Sequence, residues 1–298
     1  MRNSLSGLYF RSRNNRKLKA IIMKKSIIAI LAISFAVVFA GCDKASDNGT
    51  GRLVVKITDA PFPIENVEYA TVTITKVELR KEGDCNCDES PFVTVWEGSE
   101  IFNLLELRNG VVEELADLEI PQGVYDLVRI YVDEAALKVR DGDEYAIKVP
   151  SGKQTGIKVF IEPGINVAGG ISAELLLDFD LSRSFVMRGN IQHPEKFNGF
   201  IFKPVVRAVN NSIAGRLEGI VKDTESVRIK SARVYVKQDT TIVSSVADTL
   251  GHYEVIGLPE GLYSVSAVQD GYDSVVVDDV RILSGNRTVR DFILPDEE

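Results

Sequence analysis

Short apolar runs rich in Val, Ile, Thr and Tyr follow one another beyond Gly51, punctuated by Gly, Pro, Asn and Asp. They include Leu53–Thr58, Ala70–Leu79, Val124–Val132, Tyr145–Val149, Ile157–Ile161 and Ala232–Lys237. Branched and aromatic side chains suit a pleated, half-buried surface, so regular short strands between turn signals predict an all-β fold, a sandwich or barrel. Asp141-Gly142, between Leu137–Arg140 and Tyr145–Val149, predicts a hairpin, because two-residue turns favour positive φ. Only Val111–Leu118, short, apolar and acidic and ended by Pro121, could be helical, and the fold does not depend on it.

The pattern also repeats. Gly51-Arg52-Leu53 is followed by Asp59, and Gly215-Arg216-Leu217 by Asp223, at the same offset from glycine to aspartate. Ile120-Pro-Gln-Gly-Val-Tyr125 matches Leu258-Pro-Glu-Gly-Leu-Tyr263, each a Pro/Gly turn that delivers a tyrosine into a new strand. Each ring is expected to close a core with its hydroxyl near the rim. In the second turn Gly261 is expected at positive φ and Glu260 in solvent. These matches predict two tandem β-sandwiches of related plan, the first enlarged by insertions.

The amino-terminal pattern is of another kind. Met23-Lys-Lys precedes an apolar run, Ile27 to Ala40, broken only by Ser34, and Gly41-Cys42 follows. A basic segment, an apolar segment and a small-residue cleavage site make a signal peptide. The run spans about 21 Å as a helix, short of the roughly 30 Å of bilayer hydrocarbon. Ala40-Gly41-Cys42 resembles the lipobox of bacterial lipoproteins, although Phe39 stands where Leu is usual. That resemblance implies that Cys42 is acylated after cleavage and holds the mature chain on a membrane. The chain is therefore expected to divide into an upstream extension outside the natural start (1–22), a signal peptide (23–41), a lipidated tether (42–51), a first sandwich (52–209), a linker (210–214) and a second sandwich (215–298).

Composition narrows the chemistry. The chain is 45% hydrophobic and 26% charged, enough for packed cores. Two histidines, His193 and His252, and three cysteines leave little for a histidine-based metal site or a catalytic triad. The formal charge is −8, and residues 1–41 carry eight Lys/Arg and no Asp/Glu, which leaves residues 42–298 at −16. A body so acidic repels nucleic acid.

The candidate sites are few. Cys85-Asn86-Cys87, in the acidic loop Lys81–Glu89, can form a local disulfide or offer two thiolates to a metal, but a structural metal wants four ligands. An exposed loop with an incidental bridge is the preferred reading. Asp178 and Asp180 share one strand face by period-two spacing and, with Asp59, are the weak candidates for a calcium site. The favoured alternative is a solvated strand end near Arg183, with no metal and no cofactor. Pro150-Ser-Gly-Lys-Gln-Thr-Gly156 lacks the residue order of a phosphate loop and is expected as strand–turn–strand. Ser151 and Ser184 lack a positioned histidine base. Trp96, in step with Phe92 and Thr94, is expected in a core or edge role ahead of a sugar-stacking one.

Residues of about 213–295 resemble the carboxypeptidase regulatory-like domain. The residues that carry this are Gly219-Ile-Val-Lys-Asp223, Ala232-Arg-Val-Tyr-Val236, Asp248-Thr-Leu-Gly-His-Tyr253, Gly257-Leu-Pro-Glu-Gly-Leu-Tyr263, Gly271-Tyr272 and Val280–Gly285. The resemblance implies a transthyretin-like sandwich, related to starch-binding-like folds and usually non-catalytic. Residues of about 52–209 resemble a domain family of unknown function found in bacterial envelope lipoproteins. Its carriers are Thr58-Asp-Ala-Pro61, Val72-Thr-Ile-Thr-Lys-Val-Glu78, Asn109-Gly110, Pro121-Gln-Gly-Val-Tyr125, Pro150–Gly156, Leu177-Asp-Phe-Asp180 and Lys203-Pro-Val-Val-Arg207. The expected protein is non-catalytic and lipid-anchored in a bacterial cell envelope, at the outer membrane, on its periplasmic or surface face. It presents binding or spacer modules to a glycan or an envelope protein. The alternative is a carbohydrate-binding lipoprotein beside envelope polysaccharide machinery.

Overall fold

The computed structural model describes residues 49–60, 67–83, 92–149, 152–189 and 199–297. Cys42 with its signal and the tether up to residue 48, the Cys85/Cys87 loop, Pro150-Ser151 and His193 lie outside the described residues. Among the described residues no helix is long and apolar enough to cross a membrane.

The first unit is built from β1 (Thr50–Ala60), β2 (Val67–Lys81), β3 (Phe92–Asn103), β4 (Glu113–Pro121), β5 (Gly123–Val139), β6 (Glu144–Lys148), β7 (Ile157–Val167), β8 (Ser172–Asp180), the short pair β9 (Phe185–Met187) and β10 (Phe200–Phe202), and β11 (Val206–Asn210). Their order in the sheet is β3-β2-β5-β7-β11-β8-β1-β4, with β6 also on β5. A single bridge, Ala208 to Ile161, joins β11 to β7 and links the two halves of the sandwich. In β2 the apolar positions buried after Val67 are Ala70, Val72 and Ile74, then Val77 and Leu79. Even positions give way to odd ones because the pairing with both neighbours shifts between Ile74 and Lys76. One extra residue in a strand flips every later side chain, so this bulge keeps the strand's apolar set in the core.

The second unit comprises β12 (Gly215–Asp223), β13 (Arg233–Gln238), β14 (Thr241–Val246), β15 (His252–Leu258), β16 (Gly261–Val268), β17 (Val275–Ile282), β18 (Arg287–Val289) and β19 (Phe292–Leu294). One sheet has the order β15-β12-β18 with β19 also on β12, and the other has the order β14-β13-β16-β17. Tyr253, Tyr263, Phe292 and Val265 are buried between them.

The plans of the two units coincide. β1 is antiparallel to β4 and parallel to β8, as β12 is antiparallel to β15 and parallel to β18 and β19. β2 lies between β3 and β5 as β13 lies between β14 and β16. The match extends to single residues: Gly51 pairs with Ile120 and Gly215 with Leu258, so each glycine faces the residue before the Pro-x-Gly turn. A side chain at either would strike main chain, the Ala168 carbonyl at Gly51 and the Leu283 carbonyl at Gly215. Tyr125 and Tyr263 are both buried, as their turns predict.

Four expectations change. Val111–Leu118 supplies most of strand β4, not a helix, because Glu113–Pro121 pairs along β1 from Ile57 to Thr50 and buries Leu115 and Ile120. β1 begins at Thr50, so the last two residues assigned to the tether stand in a strand. The segment expected as strand–turn–strand contains one helical turn, Gly152–Thr155. Gly261 is absent from the positive-φ residues, whereas Gly257 has φ 67°. A Cβ at Gly261 would meet only the end of the Gln238 side chain among close contacts, so neither φ nor main chain demands glycine there. The Asp141-Gly142 hairpin joins β5 to β6, with Asp141 at φ 57° and the Gly142 amide donating to the Val139 carbonyl at 3.0 Å.

Candidate functional site

The motif residues of the first unit converge at the end that meets the second. β1 and β8 run parallel with Thr58 opposite Asp178, Asp59 opposite Phe179 and Ala60 opposite Asp180, and β11 adds Arg207 opposite Asp178. The Thr58-Asp-Ala-Pro, Leu-Asp-Phe-Asp and Lys-Pro-Val-Val-Arg segments are thus brought to one place by sheet register.

The three aspartates have separate tasks. Asp59 is 5% exposed; its Oδ1 accepts from the Leu181 amide at 3.2 Å and its Oδ2 has no partner. Burial, and then the charge of Asp178, push the Asp59 carboxyl well above the usual carboxylate range. Asp178 is 7% exposed, and its Oδ2 accepts from Arg207 Nε at 3.1 Å and Nη2 at 2.7 Å. Burial raises its pKa, and the guanidinium only partly offsets this. Asp180 caps the helical turn Leu181–Ser184, accepting from the Arg183 amide at 3.1 Å, Ser182 Oγ at 2.6 Å and Arg183 Nε at 2.6 Å. Hence the solvated strand end near Arg183 describes Asp180 but not Asp178, which is buried and paired with Arg207. Among the described residues no three carboxylate, histidine or cysteine side chains gather as a metal site. Asp59, Asp178 and Asp180 neighbour one another without converging.

Thr58 holds a neighbouring loop. Its Oγ1 donates to the carbonyls of Leu107 at 2.9 Å and Val111 at 2.8 Å, and the Asp59 amide also donates to Leu107 at 3.0 Å. The loop so pinned carries Asn109 at φ 59° and Gly110 at φ 78°. Asn109 reaches the second unit: its Oδ1 accepts from the Glu254 amide at 2.6 Å and Ser245 Oγ at 3.1 Å, and its Nδ2 donates to the His252 carbonyl at 3.4 Å. Arg207 reaches the same strand further on, donating from Nη1 to the Gly257 carbonyl at 2.6 Å and from Nη2 to Ile256 at 3.5 Å. β15 is an edge strand, and His252, Glu254 and Ile256 lie on one side of it. Asn109 and Arg207 therefore reach main-chain groups along this edge, of which the His252 carbonyl also accepts from the Asp248 amide at 2.9 Å.

The join is also fixed at the chain crossing. The Asn211 amide donates to the Glu174 carbonyl at 2.9 Å, the Glu174 amide donates to Ser212 Oγ at 2.8 Å, and Lys56 pairs with the Glu174 carboxylate at 2.6 Å. The expected linker is a pinned turn, and Gly49–Glu298 forms one compact unit.

Beside Arg207 a cleft of ≈ 320 Å³ runs between the units, lined by Phe160, Glu162, Gln238, Thr241, Pro259 and Tyr263 among others. It continues past Arg207 into a second hollow of ≈ 290 Å³ toward Asp180, Arg183 and Thr240. Phe160 is 62% exposed there, and the Arg80 guanidinium, held by Asp126 at 2.9 and 2.6 Å, stands 5.8 Å from its ring. Trp96, in contrast, is half-buried against the first core, with its ring beside Gly98. Ser184 is buried and accepts from the Val205 amide at 2.9 Å.

The family model described as a domain of unknown function, DUF4382, matches residues 50–204. The chain belongs to that family. Residues 216–295 match the carboxypeptidase regulatory-like domain, so the DUF4382 unit is followed by one of these. No curated protein matches the chain. Among solved structures, the shaft pilin SpaA of Lactobacillus rhamnosus GG is 10% identical over 84% of this chain and 98% of its own, with a TM-score of 0.25. BcpA, the major pilin subunit of Bacillus cereus, is 11% identical over 83% and 71%, also at 0.25. The 3-chlorocatechol 1,2-dioxygenase of Rhodococcus opacus is 10% identical over 29% of this chain, at 0.24, and the match spans 61% of the dioxygenase.

Sequence reasoning quoted Asn109 and Arg207 only as members of DUF4382 segments and gave them no role. The available signal was the Asn-Gly dipeptide, which marks a turn able to hold a side chain out of the sheet. Nothing local named its partner, which lies 145 residues further along the chain.

Proposed function

We propose that this DUF4382 protein is a non-catalytic, lipid-anchored component of a bacterial cell envelope, anchored through Cys42 at the outer membrane, which presents two β-sandwiches as one rigid module. The supporting observation is that two motif-bearing side chains of the first unit, Asn109 and Arg207, hydrogen-bond to the second, while Thr58 and Asp178 hold them in place from within the first. Fatty-acid-analogue labelling of wild type and Cys42→Ala tests the anchor: label is expected in wild type alone, and label retained in the variant refutes it.

A second reading, a carbohydrate-binding protein beside envelope polysaccharide machinery, is favoured by the exposed Phe160 ring in a cleft whose nearby ion pairs, Asp178–Arg207 and Asp180–Arg183, neutralise each other. A flat apolar face beside amide and hydroxyl groups suits a neutral sugar. A glycan array on Gly51–Glu298, with and without Phe160→Ala, decides it: signal lost with the ring supports this reading, and no signal on any glycan removes it.

A further inference from the structure

We infer that the signature segments of the DUF4382 unit form a receptor for the free edge of a β-strand, whose ligand is polypeptide main chain and whose occupant here is β15 of the carboxypeptidase regulatory-like unit. Four observations meet in this. The acceptors and donor taken from β15 are main-chain atoms: the carbonyls of His252, Ile256 and Gly257 and the amide of Glu254. Side-chain identity along β15 hardly enters; only Ser245, on the neighbouring β14, contributes a side-chain contact to Asn109.

Both gripping groups are held from behind by residues of the signature segments. Thr58 fixes the loop that carries Asn109, and Asp178 fixes the guanidinium of Arg207. An amide that accepts from one residue and donates to the residue two before it reproduces what a neighbouring strand would offer. A guanidinium held by a carboxylate on one side presents its remaining N–H groups in a fixed fork to carbonyls on the other.

The receptor also sets a shape requirement. Gly257 stands at φ 67°, and a Cβ there would lie 2.8 Å from Leu176 Cδ2. On the receptor side Gly110 stands at φ 78°, where an L side chain is strained, and a Cβ there would also have to displace the Glu254 carboxylate, 2.6 Å away. The partner that fits is thus an edge strand with accessible main-chain groups on one side and a left-handed glycine following them. Pairing through main chain gives affinity with little dependence on sequence, the physics of β-strand addition. This inference does not depend on where the chain is anchored.

The test uses the Gly49–Glu298 unit. Wild type is expected to unfold in one thermal transition, with the 211–214 crossing resistant to protease and the Glu254 amide protected from hydrogen exchange. Asn109→Gly removes the grip without straining the left-handed backbone at φ 59°, and exchange at Glu254 is expected to quicken about tenfold or more, the effect of losing a hydrogen bond or two. Gly257→Ala is expected to split the unfolding into two transitions and open the 211–214 crossing to cleavage. Arg207→Ala can fail to fold because it leaves Asp178 buried without a cation, so Arg207→Gln is paired with Asp178→Asn. Arg183→Ala, outside the grip, is expected to change none of these readouts. Two transitions in wild type would overturn the inference. So would one unchanged transition and an uncut crossing in Gly257→Ala and in the Asp178→Asn/Arg207→Gln double variant.

Discussion

The phenolic oxygen of Tyr263 donates to the carbonyl of Pro259, four residues back, at 2.7 Å. Tyr125 does the same to Pro121 at 2.8 Å in the other unit. In each, a buried ring fills a core while its hydroxyl ties the preceding turn, so one side chain fixes both packing and the entry of the strand. Tyr263→Phe keeps the ring and loses the bond, with an expected cost of about 1 kcal/mol. Tyr263→Ala also empties the site, at roughly 3–5 kcal/mol. Urea midpoints rank the two, and equal midpoints would place the tyrosine on the surface.

Gly215 and Gly261 separate two uses of glycine. A Cβ at Gly215 would lie 2.5 Å from the Leu283 carbonyl oxygen, a main-chain atom that can move only with its strand. At Gly261 the obstacle is the end of the Gln238 side chain, which can swing aside. Gly215→Ala is expected to cost about 1–3 kcal/mol or more and Gly261→Ala far less. Glu260→Ala, at an exposed turn position, should be silent within about 0.5 kcal/mol. Chemical denaturation that reverses the order of the two glycines would contradict the close approach at Gly215.

Asp59 makes stability depend on pH. Burial and the neighbouring Asp178 raise its folded-state pKa, so the folded chain binds this proton more tightly than the unfolded chain. Its contribution is present below the unfolded value of about 3.9 and is lost as pH rises through the folded value. Asp59→Asn keeps an oxygen for the Leu181 amide and removes the titration. The variant is expected to gain stability over wild type at pH 7 and lose that gain near pH 4. Asp178, raised in the same direction, leaves part of the slope in place. Urea midpoints of the two proteins that run parallel across this range would remove Asp59 as the source.

Phe160 and Phe102 are opposite cases of one residue type, 62% and 0% exposed. Phe160→Ala is expected to shift the unfolding free energy by no more than about 0.5 kcal/mol, and Phe102→Ala by roughly 3–5 kcal/mol. A large loss at Phe160 would show that its contact with Arg80 is structural and weaken the case for an exposed binding ring.

The sequence by itself determined what local chemistry decides. Alternation and turn residues gave short strands, Asp141 adopts the left-handed conformation its dipeptide implies, and the two Pro-x-Gly-x-Tyr turns disclosed a repeated plan that the pairings Gly51–Ile120 and Gly215–Leu258 bear out. Tertiary structure decided the rest, because it depends on register between segments far apart. Glu113–Pro121 is too acidic and short of branched residues to declare itself a strand, and becomes one by pairing with β1. Asp178 has Arg183 five residues away yet pairs with Arg207, because the register of β11 on β8 sets Arg207 directly opposite it while Asp180 takes Arg183 at the cap of a helical turn. Asn109 has no partner within its own loop. Its role exists only once both sandwiches have folded and the edge strand β15 has been brought to it.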